Sequence, residues 1–131
     1  MILVAVGIIS NDKNKILITR RAKNAMHGNK WEFPGGKVEF KESVYEALCR
    51  ELKEEIQITV TAAEPLIQVP YNYGEVSVLL DVWKVIDYTG HVQSGEGQPF
   101  RWVSTSKLHQ YTFPAANWVI IQHLSNSLRF N

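Results

Sequence analysis

Three glutamates, Glu51, Glu54 and Glu55, stand at i, i+3 and i+4 in a segment with helical periodicity. At about 100° per residue, Val44, Leu48 and Leu52 form an apolar stripe. Glu46 and Lys53 lie opposite it, where surface charges belong. Glu55 instead projects between Val44 and Leu48, Glu51 lies beside the stripe, and Glu54 follows on the same flank. Like charges at i and i+4 repel, and a carboxylate near a core loses solvation. Two remedies exist: neighbouring Arg and Lys, or a divalent ion such as Mg²⁺ or Mn²⁺, which favours carboxylate oxygen. From Glu39 to Glu55 six glutamates face only Lys41, Arg50 and Lys53, a local net of −3. Taken alone, the helix is equally accounted for as a solvated acidic surface helix with i,i+4 pairs.

The elements that must position these residues are readable around them. Ser43 and Glu46 have the S-x-x-E spacing of a capping box, which predicts a helix from Val44 to Ile56. Ile2–Ile9 is almost continuously apolar and β-branched, as in a strand covered on both faces. Asn11–Asn14 is a turn cluster, and Ile16–Arg20 reads as a partner strand, so a hairpin is expected. Ala22–Lys30 reads as a loop, and Trp31–Gly36, with Pro34 and two glycines, as specialised non-helical backbone. Ile58–Val69 is a strand candidate interrupted by Pro65. Tyr71–Gly74 reads as a turn, Glu75–Asp87 as an alternating strand, Tyr88–Gly97 as a loop and Phe100–Val103 as a short strand. Pro114 opens or precedes a last helix with Ile120, Ile121, Leu124 and Leu128 at helical spacing.

With 131 residues and 45% apolar composition, one globular domain over 1–131 is expected. Fourteen Lys and Arg against 13 Asp and Glu give a net of +1 and no reason to expect nucleic-acid binding. The single cysteine, Cys49, excludes an internal disulfide and points to a reducing, cytoplasmic setting. It reads as a small buried residue with no activating neighbour. The longest apolar run, Met1–Ile9, is about half a membrane span and lacks signal-peptide flanks.

The upstream sequence changes the weighting. The stretch Gly36-x5-Glu42-x7-Arg50-Glu51-Leu52-x-Glu54-Glu55, closed by Ile58, resembles the signature box of Nudix hydrolases. Every charged position matches. Gln57 replaces the family's late glycine, which would suit a left-handed helix end; Gln there costs on the order of 1 kcal/mol. The resemblance implies an α/β/α sandwich with a central mixed sheet and a loop–helix–loop catalytic motif. It implies hydrolysis of a nucleoside diphosphate linked to another group, with Mg²⁺ or Mn²⁺. Glu51, Glu54 and Glu55 would be metal ligands, the carbonyl of Gly35 a further one, and Arg50 with Glu42 a supporting ion pair. Metal ions make a bound water more acidic, and a carboxylate within reach takes its proton. Glu51 and Glu96 both qualify.

The likeness extends beyond the box to a Nudix subfamily that sanitises oxidised guanine nucleotides. Ala5–Ile9, Ile18–Arg21, Asn29–Lys30, Glu32–Lys37, Glu96–Pro99 with Trp102, and Phe113-Pro114-x-Ala116-Asn117 all resemble it. It implies a monomer whose substrate is 8-oxo-dGTP, contacted by Arg21, His27, Glu32, Phe33, Pro34, Gly35 and Asn117. CTP, another dNTP or an ADP-sugar is the competing substrate, and a non-catalytic nucleotide sensor the competing class. Each residue also has a plainer use. Arg21 could be an exposed strand-end cation, Phe33 core packing, Glu96 a solvated loop acid and a further metal ligand only by resemblance, and Asn117 a first-turn residue. Asn117 has a specific chemical argument. Guanine presents acceptors at N7 and O6. Oxidation at C8 puts a proton on N7, and an Asn amide can then accept from N7–H and donate to O6.

Overall fold

A computed structural model of the chain describes residues 1–23 and 28–129, the side chains of 127–129 excepted. The elements are β1 (Ile2–Ile8), β2 (Lys15–Arg20), β3 (Trp31–Glu32), β4 (Gly35–Lys37), α1 (Val44–Ile56), β5 (Thr59–Tyr73), β6 (Val76–Thr89), β7 (Phe100–Ser104) and α2 (Ala115–Arg129). A 3₁₀ segment, Thr105–Gln110, precedes α2. One sheet has the order β4–β1–β6–β5 and the other β3–β2–β7. The first is mixed, because β1 runs parallel to β6 and antiparallel to β4.

The sheets are covered on both faces, as the unbroken apolar run of β1 requires. Val6 and Ile8 join the core under α2, with Ala116, Ile120 and Ile121. Ala5 and Ile9 join the core under α1, with Ala47, Leu48, Leu52 and Ile56. The result is the expected α/β/α sandwich with a mixed sheet.

Several local expectations need correction. β1 and β2 do not form a hairpin. Among the described residues their antiparallel backbone bonding is confined to the turn, where Ser10 bridges Ile16, the Leu17 N–H donates to the Ile9 carbonyl at 3.0 Å and the Asn11 N–H to the Lys15 carbonyl at 3.0 Å. Past the turn the strands part into different sheets, β1 pairing with β4 and β6 and β2 with β3 and β7. Pro65 does not interrupt β5. It lies on an outer strand where the register slips between Pro65 and Ile67, and there a missing N–H breaks no regular ladder. Tyr71–Tyr73 continues β5 rather than turning, and the turn is confined to Gly74–Glu75, with Gly74 at φ +67°. β6 runs on through Tyr88 and Thr89. Trp31–Gly36 contains two short strands joined through Phe33–Pro34, so that β3 and β4 belong to different sheets. Leu128 lies outside the described side chains.

Candidate active site

Helix α1 begins at Ser43, whose side chain accepts from the Glu46 N–H at 3.1 Å while Glu46 accepts from the Ser43 N–H at 3.0 Å. It ends at Gln57 in the left-handed conformation, φ 60° and ψ 34°. Between these caps the stripe Leu48–Leu52–Ile56 is fully buried. That fixes the helix's rotation and drives Glu55, one residue off the stripe, into the interface between the two sheets. Only 7% of Glu55 remains exposed. Its Oε1 accepts from Thr19 Oγ1 of β2 at 2.9 Å, and its Oε2 from the Gly35 N–H of β4 at 3.2 Å. Burial, with the charge of Glu32, pushes this carboxyl up to about 7 against the bonds from Thr19, Gly35 and Gln98.

Arg50 organises the outer carboxylates. Its Nε and Nη2 fork onto Glu42 at 2.7 and 2.9 Å, and Nη1 donates to Glu51 Oε1 at 2.7 Å. Nη2 also donates to the Lys37 carbonyl at 3.0 Å, which ties α1 to the end of β4. The Arg50 fork holds Glu42 down at about 2. Glu51 remains raised: burial outweighs Arg50, and the charges of Glu54 and Glu96 add to it. The two glycines before the helix are spatial requirements. A Cβ on Gly36 would stand 2.3 Å from the Glu51 carboxyl carbon, and one on Gly35, at φ +156°, 2.0 Å from the Ala5 carbonyl oxygen.

The loop after β6 is laid against the end of α1. The Gln93 and Gly95 N–H groups donate to the Ile56 and Glu55 carbonyls at 3.0 and 2.8 Å, satisfying helix-end acceptors. A Cβ on Gly95 would stand 2.1 Å from the Glu54 carbonyl oxygen. This docking brings Glu96, from a distant segment, into the field of Glu51.

Beside the carboxylates lies a cleft of about 330 Å³. Its floor is apolar, from Val4 and Val6 of β1 and Val78 and Leu80 of β6, and Phe33 lines it while stacking on Phe113 at 5.5 Å. Arg21, Glu32, Gly35, Gly36 and Lys37 occupy one part of its wall, and Asn117 lines it as well. Arg21 and Glu32 are hydrogen-bonded to each other, and burial raises the Glu32 carboxyl despite that partner. Asn117 is only 9% exposed, and its side-chain amide makes no hydrogen bond among the described residues. A buried amide normally has a partner, so this one is set to meet a molecule in the cleft.

The structure thus gathers Glu51, Glu54, Glu96 and Arg50 in one cluster, turns Glu55 of the same helix inward onto Thr19 and Gly35, and sets Arg21, Glu32, Phe33, Gly35 and Asn117 around one cleft. Pro34 is buried behind that wall, its carbonyl accepting from the Gly7 N–H at 2.8 Å. His27 lies outside the described residues. Cys49 is half-buried against the α1-side core. Among the described residues no three His, Cys, Asp or Glu side chains close into a metal cage. The donor set still fits a hard divalent ion, because the oxygens are all carboxylate or carbonyl and Glu51 lies in the repulsive field of Glu54 and Glu96.

Three contributors were missed. Tyr73 lines the cleft, and its hydroxyl accepts from the Ala116 N–H at 2.9 Å, fastening the start of α2 beside Asn117. It falls where the sequence reads as a turn, so no periodic signal marks it. Thr19 is fully buried among apolar neighbours and looks like β-strand filler until its bond to Glu55 is seen. Lys37 lines the cleft directly after the paired glycines, and that adjacency was a usable signal.

The chain is similar to several known proteins. A NUDIX domain is recognised over residues 5–123. The 8-oxo-dGTP diphosphatase of Escherichia coli (strain K12) is 41% identical over 121 residues, 92% of this chain and 94% of that protein. The CTP pyrophosphohydrolase of the same organism is 38% identical, covering 93% and 90%. A MutT structure from work on Aliivibrio salmonicida and Vibrio cholerae superposes with a TM-score of 0.82 at 37% identity, covering 95% of this chain and 98% of that one.

Proposed function

The chain belongs to the NUDIX family, and from that premise we propose that it hydrolyses 8-oxo-dGTP to 8-oxo-dGMP and pyrophosphate. The observation that carries the substrate is Asn117, a buried amide without a hydrogen-bond partner among the described residues, on the wall of an apolar cleft. An oxidised guanine offers it a donor at N7 and an acceptor at O6. Ordinary guanine would set acceptor against acceptor, and unpaired buried polar groups discriminate strongly. The 8-oxo-dGTP diphosphatase relative supports the same reading.

In this mechanism the base lies on the β1–β6 floor, with Phe33 beside it and Asn117 reading its edge. Arg21, held by Glu32, meets the phosphates. Glu51, Glu54, Glu55, Glu96 and the Gly35 carbonyl are the residues that would hold a divalent metal, Mg²⁺ or Mn²⁺. When bound, the metal supplies charge neutralisation of the polyphosphate and a more acidic water. Water oxygen bonds to the middle phosphorus as the bond from that phosphorus to the bridging oxygen breaks. The bridging oxygen stays with the monophosphate. Glu51 or Glu96 accepts the water's proton and returns it to solvent. Arg50 keeps the carboxylate of Glu51 aimed, and Glu42 keeps Arg50 aimed.

The reading includes a cytoplasmic monomer that cleanses the nucleotide pool and so limits mutation. The net charge of +1 supports action on free nucleotides rather than on nucleic acid, and no described helix is long and apolar enough to cross a membrane. A second substrate class, a cytidine triphosphate, is favoured by the CTP pyrophosphohydrolase relative. Steady-state hydrolysis with Mg²⁺ separates them. A higher kcat/KM for 8-oxo-dGTP than for dGTP, dCTP, CTP or ADP-ribose, with monophosphate and pyrophosphate as products, is the expected result. A preference for CTP or dCTP would replace the substrate and keep the chemistry. No turnover by folded, metal-supplied protein would leave the sensor reading.

A further inference from the structure

Arg21 lines two cavities. One is the cleft; the other is a second pocket of about 300 Å³ that it shares with Arg20, Lys23, Asn29, Glu96 and Gln98. The second pocket has tied walls. The Arg20 N–H donates to the Pro99 carbonyl at 3.0 Å, joining the end of β2 to the loop that carries Glu96. The Arg21 N–H donates to the Lys30 carbonyl at 2.8 Å, the Asn29 N–H to the Arg21 carbonyl at 3.3 Å, and Arg20 Nη2 to Asn29 Oδ1 at 3.4 Å.

Its charge is opposite to that of the carboxylate cluster. Arg20, Arg21 and Lys23 line it with one acid, Glu96; Arg21 is paired with Glu32 from the cleft side, and Arg20 and Lys23 form no ion pair among the described residues. Glu96 is also the acid whose charge reaches Glu51. The pocket therefore adjoins the cleft through Arg21 and the carboxylate cluster through Glu96. The cleft's apolar floor suits a base, whereas Arg20 and Lys23 beside the Glu32-paired Arg21 leave an open pocket of net positive charge that suits a multiply charged anion.

We propose that this second pocket holds the outer two phosphates of the triphosphate, which leave as pyrophosphate while the cleft retains the nucleoside monophosphate. The assignment rests on the pyrophosphohydrolase reading and gives it a direction. The bond to be broken lies at the carboxylate cluster, so the two products must separate to either side of it. Arg21, common to both cavities, stands where the inner and outer phosphates meet. Arg20 and Lys23 then act on the leaving portion alone.

The test uses inorganic pyrophosphate and the whole chain in EDTA, so that no metal–pyrophosphate complex forms. Backbone amide shifts in a titration should concentrate at Arg20–Lys23, Asn29 and Glu96–Gln98. In turnover assays pyrophosphate should compete with the triphosphate. Lys23→Ala should raise both its inhibition constant and the KM for the triphosphate by about three- to tenfold, with a smaller change in kcat. Inhibition by the nucleoside monophosphate should not follow the substitution. Shifts confined to the cleft, shifts scattered over the other lysines, noncompetitive inhibition, or an unchanged inhibition constant in Lys23→Ala would each overturn the assignment. A preference for a nucleotide other than 8-oxo-dGTP overturns the base reading and leaves the pyrophosphate result standing. Lys23 is exposed on the surface, so its loss does not threaten folding.

Discussion

Replacing Glu55 by Gln isolates what it takes to keep an ionised carboxylate inside the protein. The group is 7% exposed and sits at about 7 instead of its ordinary 4.5. Below about 4.5 it is protonated in the folded and unfolded chain alike, so it takes nothing from stability. As pH rises from there, the unfolded chain ionises first and the metal-free fold loses stability. Above about 7 both states are ionised and the loss is complete, about 3 kcal/mol. Gln is uncharged throughout and still offers an acceptor to Thr19 or Gly35. In EDTA at pH 8, Glu55→Gln should therefore melt higher than the parent by up to about 10 °C. The two curves should converge as pH falls to 4.5. With Mg²⁺ at pH 8 the parent should gain Tm and the variant should not, because the ion binds the folded carboxylate. Turnover in the variant should fall by about 100-fold or more, as expected when a metal ligand and transition-state charge partner is lost. A variant no more stable than the parent at pH 8 in EDTA would refute this account of Glu55, as would a stability gap that does not close on acidification.

Asn117→Ala should narrow the kcat/KM preference for 8-oxo-dGTP over dGTP by about 10-fold or more, as loss of a matched polar contact predicts; an unchanged ratio removes the base-reading role. Tyr73→Phe keeps the aromatic wall and deletes the acceptor for the Ala116 N–H, so the same ratio should narrow by about three- to tenfold, while the Tm falls by only a few degrees. A large loss of Tm with an unchanged ratio would make Tyr73 purely structural. Glu42 is held down at about 2, so its pairing with Arg50 stabilises the fold above about 4.5 and is lost as pH falls towards 2. A melting series from pH 6 to 2 should therefore show a shallower decline for Glu42→Gln than for the parent, and parallel curves would refute the pairing.

The parts legible in the sequence were those whose physics is local. The limits of α1 follow from a capping box and an apolar stripe within one segment, and the observed helix, Val44–Ile56, has both. The inward direction of Glu55 follows from the same helical spacing. The left-handed Gln57 was legible only through the resemblance, as the position of the family's glycine. The misread parts depend on pairing partners far away. The two apolar strands joined by a four-residue turn cluster look like a hairpin, but past that turn each takes its partners from distant segments, β4 and β6 for one and β3 and β7 for the other. Pro65 looks like a strand breaker until β5 is known to lie on the outside of its sheet.

The same distinction explains the chemistry of the site. The carboxylates of α1 can be listed from their spacing, but their protonation cannot, because each is set by groups from other segments. Burial under distant segments raises both: Glu55 is further set by Glu32, Thr19 and Gly35, and Glu51, beyond its helix neighbours Arg50 and Glu54, by Glu96. Asn117 is one of several asparagines in the sequence, and what distinguishes it is that Tyr73 fastens the adjoining turn over a cleft floored by two parallel strands. Parallel strands need a long crossover, here residues 9–75, and that crossover is the segment that carries α1. The connection that closes the cleft's floor therefore also delivers the carboxylates of α1 beside it. A substitution that loosens the β1–β6 pairing should accordingly damage base preference and metal affinity together, whereas Asn117→Ala should damage only the first.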